Sequence, residues 1–133
     1  MLHYSASVRI VDTSGRVLYV RRSPSAPTRA GQFEHPAGLI EPGEHPPHTA
    51  LREVQEETGI VIPLWRLMLL RVEDGPKGRH YVYTARVLRD TPVRLSYEHD
   101  AHEWRKEDVF TFESATRRRQ FLPLPPLPQP SPT

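Results

Sequence analysis

The sequence predicts an α/β or α+β sandwich in which one helix packs against strands that come before and after it in the chain. Residues 3–11 and 17–21 alternate between apolar and polar side chains, which is typical of two strands. Residues 46–58 have the periodicity of an amphipathic helix. Residues 64–72 and 81–88 are apolar runs of strand length. A single helix between two groups of strands favours a sandwich over a regular βαβ array.

The segments before the helix are predicted to form a hairpin and a short extended piece. Turn residues at 12–15 connect the first two strands. Arg21 and Arg22 end the second strand, just before a polar connection at 23–31. A contact with phosphate and a solvated strand end are about equally compatible with this pair. Phe33 then begins the extended piece that leads to the helix.

The predicted helix has two faces with different chemistry. Three glutamates stand at i, i+3 and i+4 and therefore project from one side: Glu53, Glu56 and Glu57. Four other residues fall within about 100° of arc, the width of a core-facing stripe: Ala50, Leu51, Val54 and Thr58. Pro46 and Pro47 suit the first turn, and Gly59 suits the left-handed residue that ends a helix.

The glutamate face calls for a compensating positive charge. Like charges at this spacing repel by roughly 0.2–0.5 kcal/mol per pair in an isolated helix. Mg²⁺ fits because it takes oxygen ligands and is commonly shared between carboxylates and substrate phosphates. Turns at 36–38 and 41–44 can bring backbone carbonyls close to the start of the helix. Taken alone, the three glutamates are also compatible with a solvated acidic face.

The spacing of the whole stretch is more specific than the glutamates alone. From Gly38 to Ile60 it resembles the Nudix box, G-x5-E-x7-R-E-U-x-E-E-x-G-U with U aliphatic, and all nine specified positions are met. The resemblance implies an α/β/α sandwich with a mixed central sheet for residues 1–121. It also implies hydrolysis of a nucleoside diphosphate linked to another group, with Mg²⁺ as the cofactor and Mn²⁺ as an alternative.

The resemblance assigns roles position by position. It implies that Glu53, Glu56 and Glu57 bind the metal and that the backbone carbonyl of Ala37 adds a ligand. Arg52 is expected to hold a box glutamate through a charge-assisted hydrogen bond rather than to touch the reacting phosphate.

Other box positions are expected to support the site. Gly38 and Gly59 are the glycines that the pattern specifies, and Glu44 is expected to support the metal site indirectly. The general base stays open between Glu53 and a later residue, Glu98.

Glu98 lies in a polar segment before a strand predicted at 103–112. On the residues alone it is an ordinary exposed acid. The surrounding string, RLSYEHDAHEW at 94–104, resembles the corresponding region of asymmetric diadenosine tetraphosphate hydrolases, which makes Glu98 a further candidate site residue.

The remaining segments complete the predicted organisation. A loop at 73–78 separates the two apolar runs, and Tyr81, Tyr83 and Ala85 are predicted to share one face of the second run. A short helix is predicted at 113–121. Residues 122–133 contain six prolines and form a proline-rich tail that favours polyproline II.

The resemblance leaves three substrate classes open. The EHPAGLIEPGE string resembles ADP-ribose pyrophosphatases, residues 94–104 favour dinucleoside polyphosphates, and the chain length fits MutT-like nucleoside triphosphate pyrophosphohydrolases. Candidate substrate-binding residues are Arg21 for phosphate and Phe33 and Tyr83 for stacking on a base. A place in the core is the alternative for both aromatic residues.

Composition narrows the function classes. The chain has 133 residues, enough for one domain, and no cysteine, which excludes disulfides, thiolate zinc sites and cysteine nucleophiles. No apolar run is long enough to span a bilayer and no signal-peptide pattern is present, so a cytoplasmic protein with no membrane partner is expected. The formal charge of +2 and scattered basic residues argue against nucleic acid as a partner. The sequence leaves open whether the chain forms a homodimer.

Two hypotheses of different class follow. The first is a Mg²⁺-dependent pyrophosphohydrolase with a nucleotide substrate. The second is a catalytically silent nucleotide-sensing or protein-binding Nudix domain, for which the proline-rich tail is the motivating feature. The complete set of box glutamates argues for the first.

Overall fold

The computed structural model describes residues 2–107. Its elements are, in chain order, β1 His3–Asp12, β2 Arg16–Arg22, β3 Phe33–Glu34, β4 Ala37–Leu39, α1 Pro46–Thr58, a 3₁₀ turn Leu64–Arg66, β5 Met68–Gly75, β6 Gly78–Val87 and β7 His99–Lys106. The helix predicted at 113–121, the domain boundary at residue 121, the tail at 122–133 and the end of the strand predicted at 103–112 lie outside the described residues.

The seven described strands form one mixed sheet around β1. β1 runs parallel to β6 along its whole length, from the pair His3 and Gly78 to the pair Asp12 and Val87. It is antiparallel to β4, and β6 is antiparallel to β5. β2 is antiparallel to β3 and β7 and meets β1 at only one registered pair. The predicted mixed sheet is therefore confirmed.

The helix α1 packs on β1, β4 and β6 and closes the core. The core cluster consists of Ala6, Val8, Ile10, Leu18, Ala50, Val54, Ile60, Ile62, Tyr81, Tyr83, Ala85 and Val87. Of the predicted helix stripe, Ala50, Val54 and Thr58 are fully buried and Leu51 is partly buried. Of the three helix glutamates, Glu56 is exposed, Glu53 is partly buried and Glu57 is buried.

Both ends of α1 lie where the sequence predicts them. Prolines occupy the first turn, after His45 in an extended conformation (φ −88°, ψ 147°). Gly59 adopts the left-handed conformation (φ 73°), and its N–H donates a 2.9 Å hydrogen bond to the Gln55 carbonyl. The helix is thus fixed at both ends by local backbone chemistry.

Three boundaries differ from the prediction. Residues 64–66 form a 3₁₀ turn after Pro63, so the strand predicted at 64–72 begins only at Met68. The loop predicted at 73–78 is wrong, because β5 and β6 continue to a two-residue connection and Asp74 pairs with Arg79 across them at 2.7 Å. The strand predicted at 103–112 begins at His99, where it pairs with β2.

None of the helices in the described part of the chain combines the length and apolar character that a bilayer span requires.

We expect Gly78→Ala to destabilise the fold by at least about 2 kcal/mol, because its φ of +146° strains any other residue and its new Cβ would lie 1.7 Å from the His3 carbonyl oxygen. Urea denaturation measures the change. Gly75→Ala is the matched control, since its Cβ would meet nothing within 4 Å. Equal stability of the two variants would contradict the β1 and β6 pairing described above.

Asp12 predicts a pH dependence of stability. Burial raises the pKa of Asp12, but hydrogen bonds from Arg16 and Ser14 outweigh it and lower this pKa to about 2. A carboxyl with a lowered folded-state pKa stabilises the fold above its ordinary pKa and loses this effect as the pH falls towards 2. Asp12→Asn should therefore cost about 2 kcal/mol at pH 7 and progressively less below pH 4 in urea denaturation. A cost that is independent of pH would refute this assignment.

Candidate active site

A groove of about 1080 Å³ runs along the glutamate-bearing face of α1. Its walls combine residues from α1, β4 and the segment before β7. Those that the sequence singled out are Arg22, Ala37, Gly38, Arg52, Glu53, Glu56 and Glu98, whereas Glu57 is not among the lining residues. Residues as far apart in the chain as Ser5 and Glu98 therefore meet at one surface.

Arg52 is the central cation of this surface. Its Nε and NH2 donate to the two oxygens of Glu44 at 2.7 and 3.0 Å. Its NH1 donates to Glu53 at 2.8 Å and to Glu56 at 3.3 Å, and NH2 also reaches the Leu39 carbonyl at 3.2 Å. The predicted contact between Arg52 and a box glutamate is present in this geometry.

Glu44 is the main anchor of Arg52. The hydrogen bonds from Arg52 lower the pKa of Glu44 to about 2, and those from Thr49 and the Glu41 N–H add to the effect. Glu44 therefore stays ionised, and its two carboxylate oxygens are taken up by hydrogen bonds from the protein itself. It supports the groove through Arg52 and not by facing a ligand.

Glu57 is the most buried of the three helix glutamates, with 2% of its surface exposed. Its Oε2 accepts a 3.0 Å hydrogen bond from the Ala37 N–H, and its Oε1 lies 3.6 Å from His99 Nε2. Burial raises the pKa of the Glu57 carboxyl, and the charges of Glu53 and Glu98 raise it further. The site therefore concentrates more negative charge than its own donors neutralise.

Gly38 is required by the position of Glu53. A Cβ on Gly38 would lie 2.1 to 2.6 Å from the Glu53 carboxyl carbon and oxygens. β4 brings Gly38 there by pairing it with Ala6 of β1. Burial raises the pKa of Glu53, and Arg52 offsets part of this rise. Any larger residue at position 38 would displace this carboxylate.

A second network, centred on Glu34, forms part of the wall of the groove. Glu34 accepts hydrogen bonds from Arg22 NH1 and His99 Nε2, both at 3.1 Å, and lies 3.6 Å from Arg29 NH1. Burial raises the pKa of Glu34, but the hydrogen bonds from His99 and Arg22 outweigh it, so this pKa lies below its usual value. Arg22 and Arg29 both line the groove.

The three residues predicted to bind substrate do not line this groove. Arg21 makes a two-atom ion pair with Asp100 at 2.8 and 3.2 Å. Phe33 packs against Arg105, whose guanidinium carbon lies 4.3 Å from the centroid of the Phe33 ring. Tyr83 is 5% exposed within the core, and burial raises its pKa to about 12. The neighbouring Arg22 is the arginine of this hairpin that faces the groove.

The donor set of the groove fits a hard divalent cation. Carboxylates and a backbone carbonyl are the ligands that such a cation prefers. Glu57 does not line the groove but is hydrogen-bonded to Ala37, which does, and its raised pKa means that added positive charge nearby would be favourable. Within residues 2–107, no three histidine, aspartate or glutamate side chains are already arranged as a metal-holding group. Arg52 binds Glu53 and Glu56, so a cation would compete with Arg52 for these two carboxylates.

Sequence reasoning missed Glu34 and His99. They are separated by 65 positions, and no local pattern connects them. The available signal was the position of His99 directly after Glu98, but the predicted strand started four residues too late to include it.

The chain is similar to known proteins over the part that forms this groove. A family model described as the NUDIX domain matches residues 1–125. An octanoyltransferase of Myxococcus xanthus is 37% identical over 109 residues, which cover 75% of this chain and 30% of that protein. An asymmetrical bis(5'-nucleosyl)-tetraphosphatase of Sus scrofa is 42% identical over 76 residues, which cover 52% of each chain. The chain thus spans about half or less of the length of these curated relatives.

The fold agrees as well. A MutT NUDIX hydrolase from Burkholderia pseudomallei superposes with a TM-score of 0.68 at 24% identity, covering 90% of this chain and 98% of that one. This likeness confirms the predicted sandwich with its mixed sheet and box helix. The family model, which extends over most of the chain, decides the classification. The chain belongs to the NUDIX domain family.

Proposed function

We propose that this chain is a Mg²⁺-dependent pyrophosphohydrolase that cleaves a nucleoside diphosphate linked to another moiety by attack of water on phosphorus. The observation that carries the proposal is the groove whose wall holds Glu53, Glu56 and Glu98 beside the guanidinium of Arg52, with the buried Glu57 next to Glu53. Membership of the NUDIX family supports it, and so does the tetraphosphatase name of the Sus scrofa relative.

The metal ligands in this proposal are Glu53, Glu56, Glu57 and the backbone carbonyl of Ala37. Mg²⁺, or Mn²⁺ in its place, supplies charge neutralisation and lowers the pKa of bound water when it is present. The buried Glu57, held by the Ala37 N–H, is the most rigid of the proposed donors. Glu53 and Glu56 are both held by Arg52, and Glu53 is also hydrogen-bonded to Glu57.

The roles of the other residues follow from their contacts. Arg52 orients Glu53 while anchored on Glu44, so it positions a proposed metal ligand and does not face the phosphate. Glu53 and Glu98 both remain candidates for the general base, since both line the groove. Arg22 replaces Arg21 as the proposed phosphate contact, because Arg22 lines the groove and Arg21 is paired with Asp100.

The substrate remains one of three classes: nucleoside triphosphates, dinucleoside polyphosphates or ADP-ribose. The groove, at about 1080 Å³, holds a substrate as large as a dinucleotide. Arg22 and Arg29 lie on its wall, where they can contact phosphates distant from the carboxylates. This supports a substrate with an extended phosphate chain without choosing among the classes.

A product assay tests the function directly. With Mg²⁺ present, the wild type should release a nucleoside monophosphate or an equivalent product from at least one of the three classes. Glu53→Gln and Glu57→Gln should lower kcat/KM by about 100-fold or more, because each removes a charged donor from the proposed site. Glu103→Gln is the matched control, since Glu103 is an exposed acid of β7 that pairs with Arg105 outside the groove.

The same assay separates the remaining alternatives. A loss in Glu98→Gln as large as in Glu53→Gln assigns Glu98 a direct part in catalysis, whereas near wild-type activity leaves Glu53 as the base. A folded wild type that binds nucleotide but turns over none of the panel with Mg²⁺ or Mn²⁺ contradicts the proposal. That result would favour the nucleotide-sensing domain.

Gly38→Ala should lower activity while it leaves the stability of the fold almost unchanged. The new Cβ overlaps the end of the flexible Glu53 side chain, which can move aside, so unfolding free energy should change by less than about 1 kcal/mol. The displaced carboxylate should nevertheless lower kcat/KM at least tenfold. Thermal denaturation and the product assay measure the two effects, with Gly75→Ala as the control. Full activity in Gly38→Ala would show that the position of Glu53 is not needed.

A further inference from the structure

We propose that His99 is a positioning residue, whose Nε2–H donates to Glu34 in the wall of the groove and lies beside the buried Glu57, so that it keeps both carboxylates in place. The inference rests on the proposed function, because Glu57 is a proposed metal ligand and Glu34 holds the groove arginine Arg22. It assigns a role to a residue outside the Nudix box.

The imidazole lies between two carboxylates. His99 Nε2 is 3.1 Å from Glu34 Oε1 and 3.6 Å from Glu57 Oε1, and the His99 side chain is fully buried. Nε2 faces the Glu34 carboxylate at hydrogen-bond distance, so this nitrogen carries the proton. Within the described residues, Nδ1 is buried and has no hydrogen-bond partner, so a proton there would be left unsatisfied in the interior.

Backbone pairing explains how His99 reaches this place. It is the first residue of β7, and it pairs with Arg22 where the register of β2 and β7 shifts between Arg21 and Arg22. Such an irregularity re-aims a side chain relative to regular alternation. As a result His99 points inward, while Asp100 pairs with Arg21 at the surface.

The contacts also define what the removal of His99 would do. The charges of Glu34 and Glu57 interact unfavourably, since Glu34 contributes to the raised pKa of Glu57. The Nε2–H donates to Glu34 and lies 3.6 Å from Glu57, a position between the two acids that moderates this repulsion. Without it, Glu57 keeps the Ala37 N–H and Glu34 keeps Arg22 and Arg29, but the donor between the two acids is lost.

His99 does not act on substrate. Its side chain has no exposed surface, and it is not among the residues that line the groove. It therefore acts through Glu57 and Glu34, and its effect should appear first in cation binding. Residues that orient metal ligands from behind typically contribute 10- to 100-fold to metal affinity or activity.

The test compares three variants in the absence of substrate. Titration calorimetry with Mn²⁺ alone should show affinity at least tenfold weaker in His99→Leu, which removes the donor at similar volume. His99→Gln, whose amide N–H replaces Nε2–H, should bind Mn²⁺ within about threefold of the wild type. His102→Gln is the matched control, because His102 is an exposed histidine of the same strand. Circular dichroism and urea denaturation verify that each variant is folded.

A spectroscopic measurement on the wild type supplies an independent readout. ¹⁵N-resolved NMR of the His99 ring should show a proton on Nε2, the nitrogen that faces Glu34. A ring without a proton on Nε2 would overturn the proposal even if His99→Leu failed to fold.

The binding outcomes separate this inference from the proposed function. A wild type that binds Mn²⁺, together with a folded His99→Leu that binds it equally well, contradicts only the role of His99. Equal weakening in His99→Gln and His99→Leu also contradicts it, because the donor would then be irrelevant. A wild type that neither binds a divalent cation nor hydrolyses any nucleotide contradicts both proposals.

Discussion

The bidentate pair between Arg52 and Glu44 connects three parts of the chain. Arg52 belongs to α1 and Glu44 to the turn before it, and the same guanidinium also reaches the carbonyl of Leu39 at the end of β4. A planar guanidinium can satisfy a carboxylate with two parallel hydrogen bonds and still donate elsewhere, which an ammonium cannot do. The position of the helix relative to β4 therefore depends on arginine chemistry.

The same arginine explains why Gly38 lies so close to the Glu53 carboxylate. Arg52 donates a hydrogen bond to the Glu53 carboxylate and holds it against β4. The carboxylate therefore occupies the space that a side chain at position 38 would need. The spacing between the glycine and the glutamates is then a steric requirement. A pattern that looks like a family signature in the sequence is, in three dimensions, a set of mutually dependent contacts.

The sequence predicts those parts of the molecule whose cause is local. Helix ends follow from prolines and Gly59, and the separation of buried Val54 from exposed Glu56 follows from helical periodicity. The network of Glu34 and His99 depends on a register shift between strands that are distant in the chain, and nothing local encodes it. Alternation places Arg21 and Arg22 on opposite sides of the strand, but it does not indicate which side faces the groove.

The parallel pairing of β1 with β6 has a consequence for how the chain reaches this structure. Ser5 of β1 and His80 of β6 are hydrogen-bonded to each other and are 75 residues apart in the chain. The entropy of closing this long loop must be lost before the contacts between the two strands can stabilise the fold. Folding dominated by such non-local contacts is slow compared with that of helical proteins. During synthesis, the edge of β1 that pairs with β6 stays unpaired until the chain has been made as far as Val87. In that interval this strand edge is open to association with other chains.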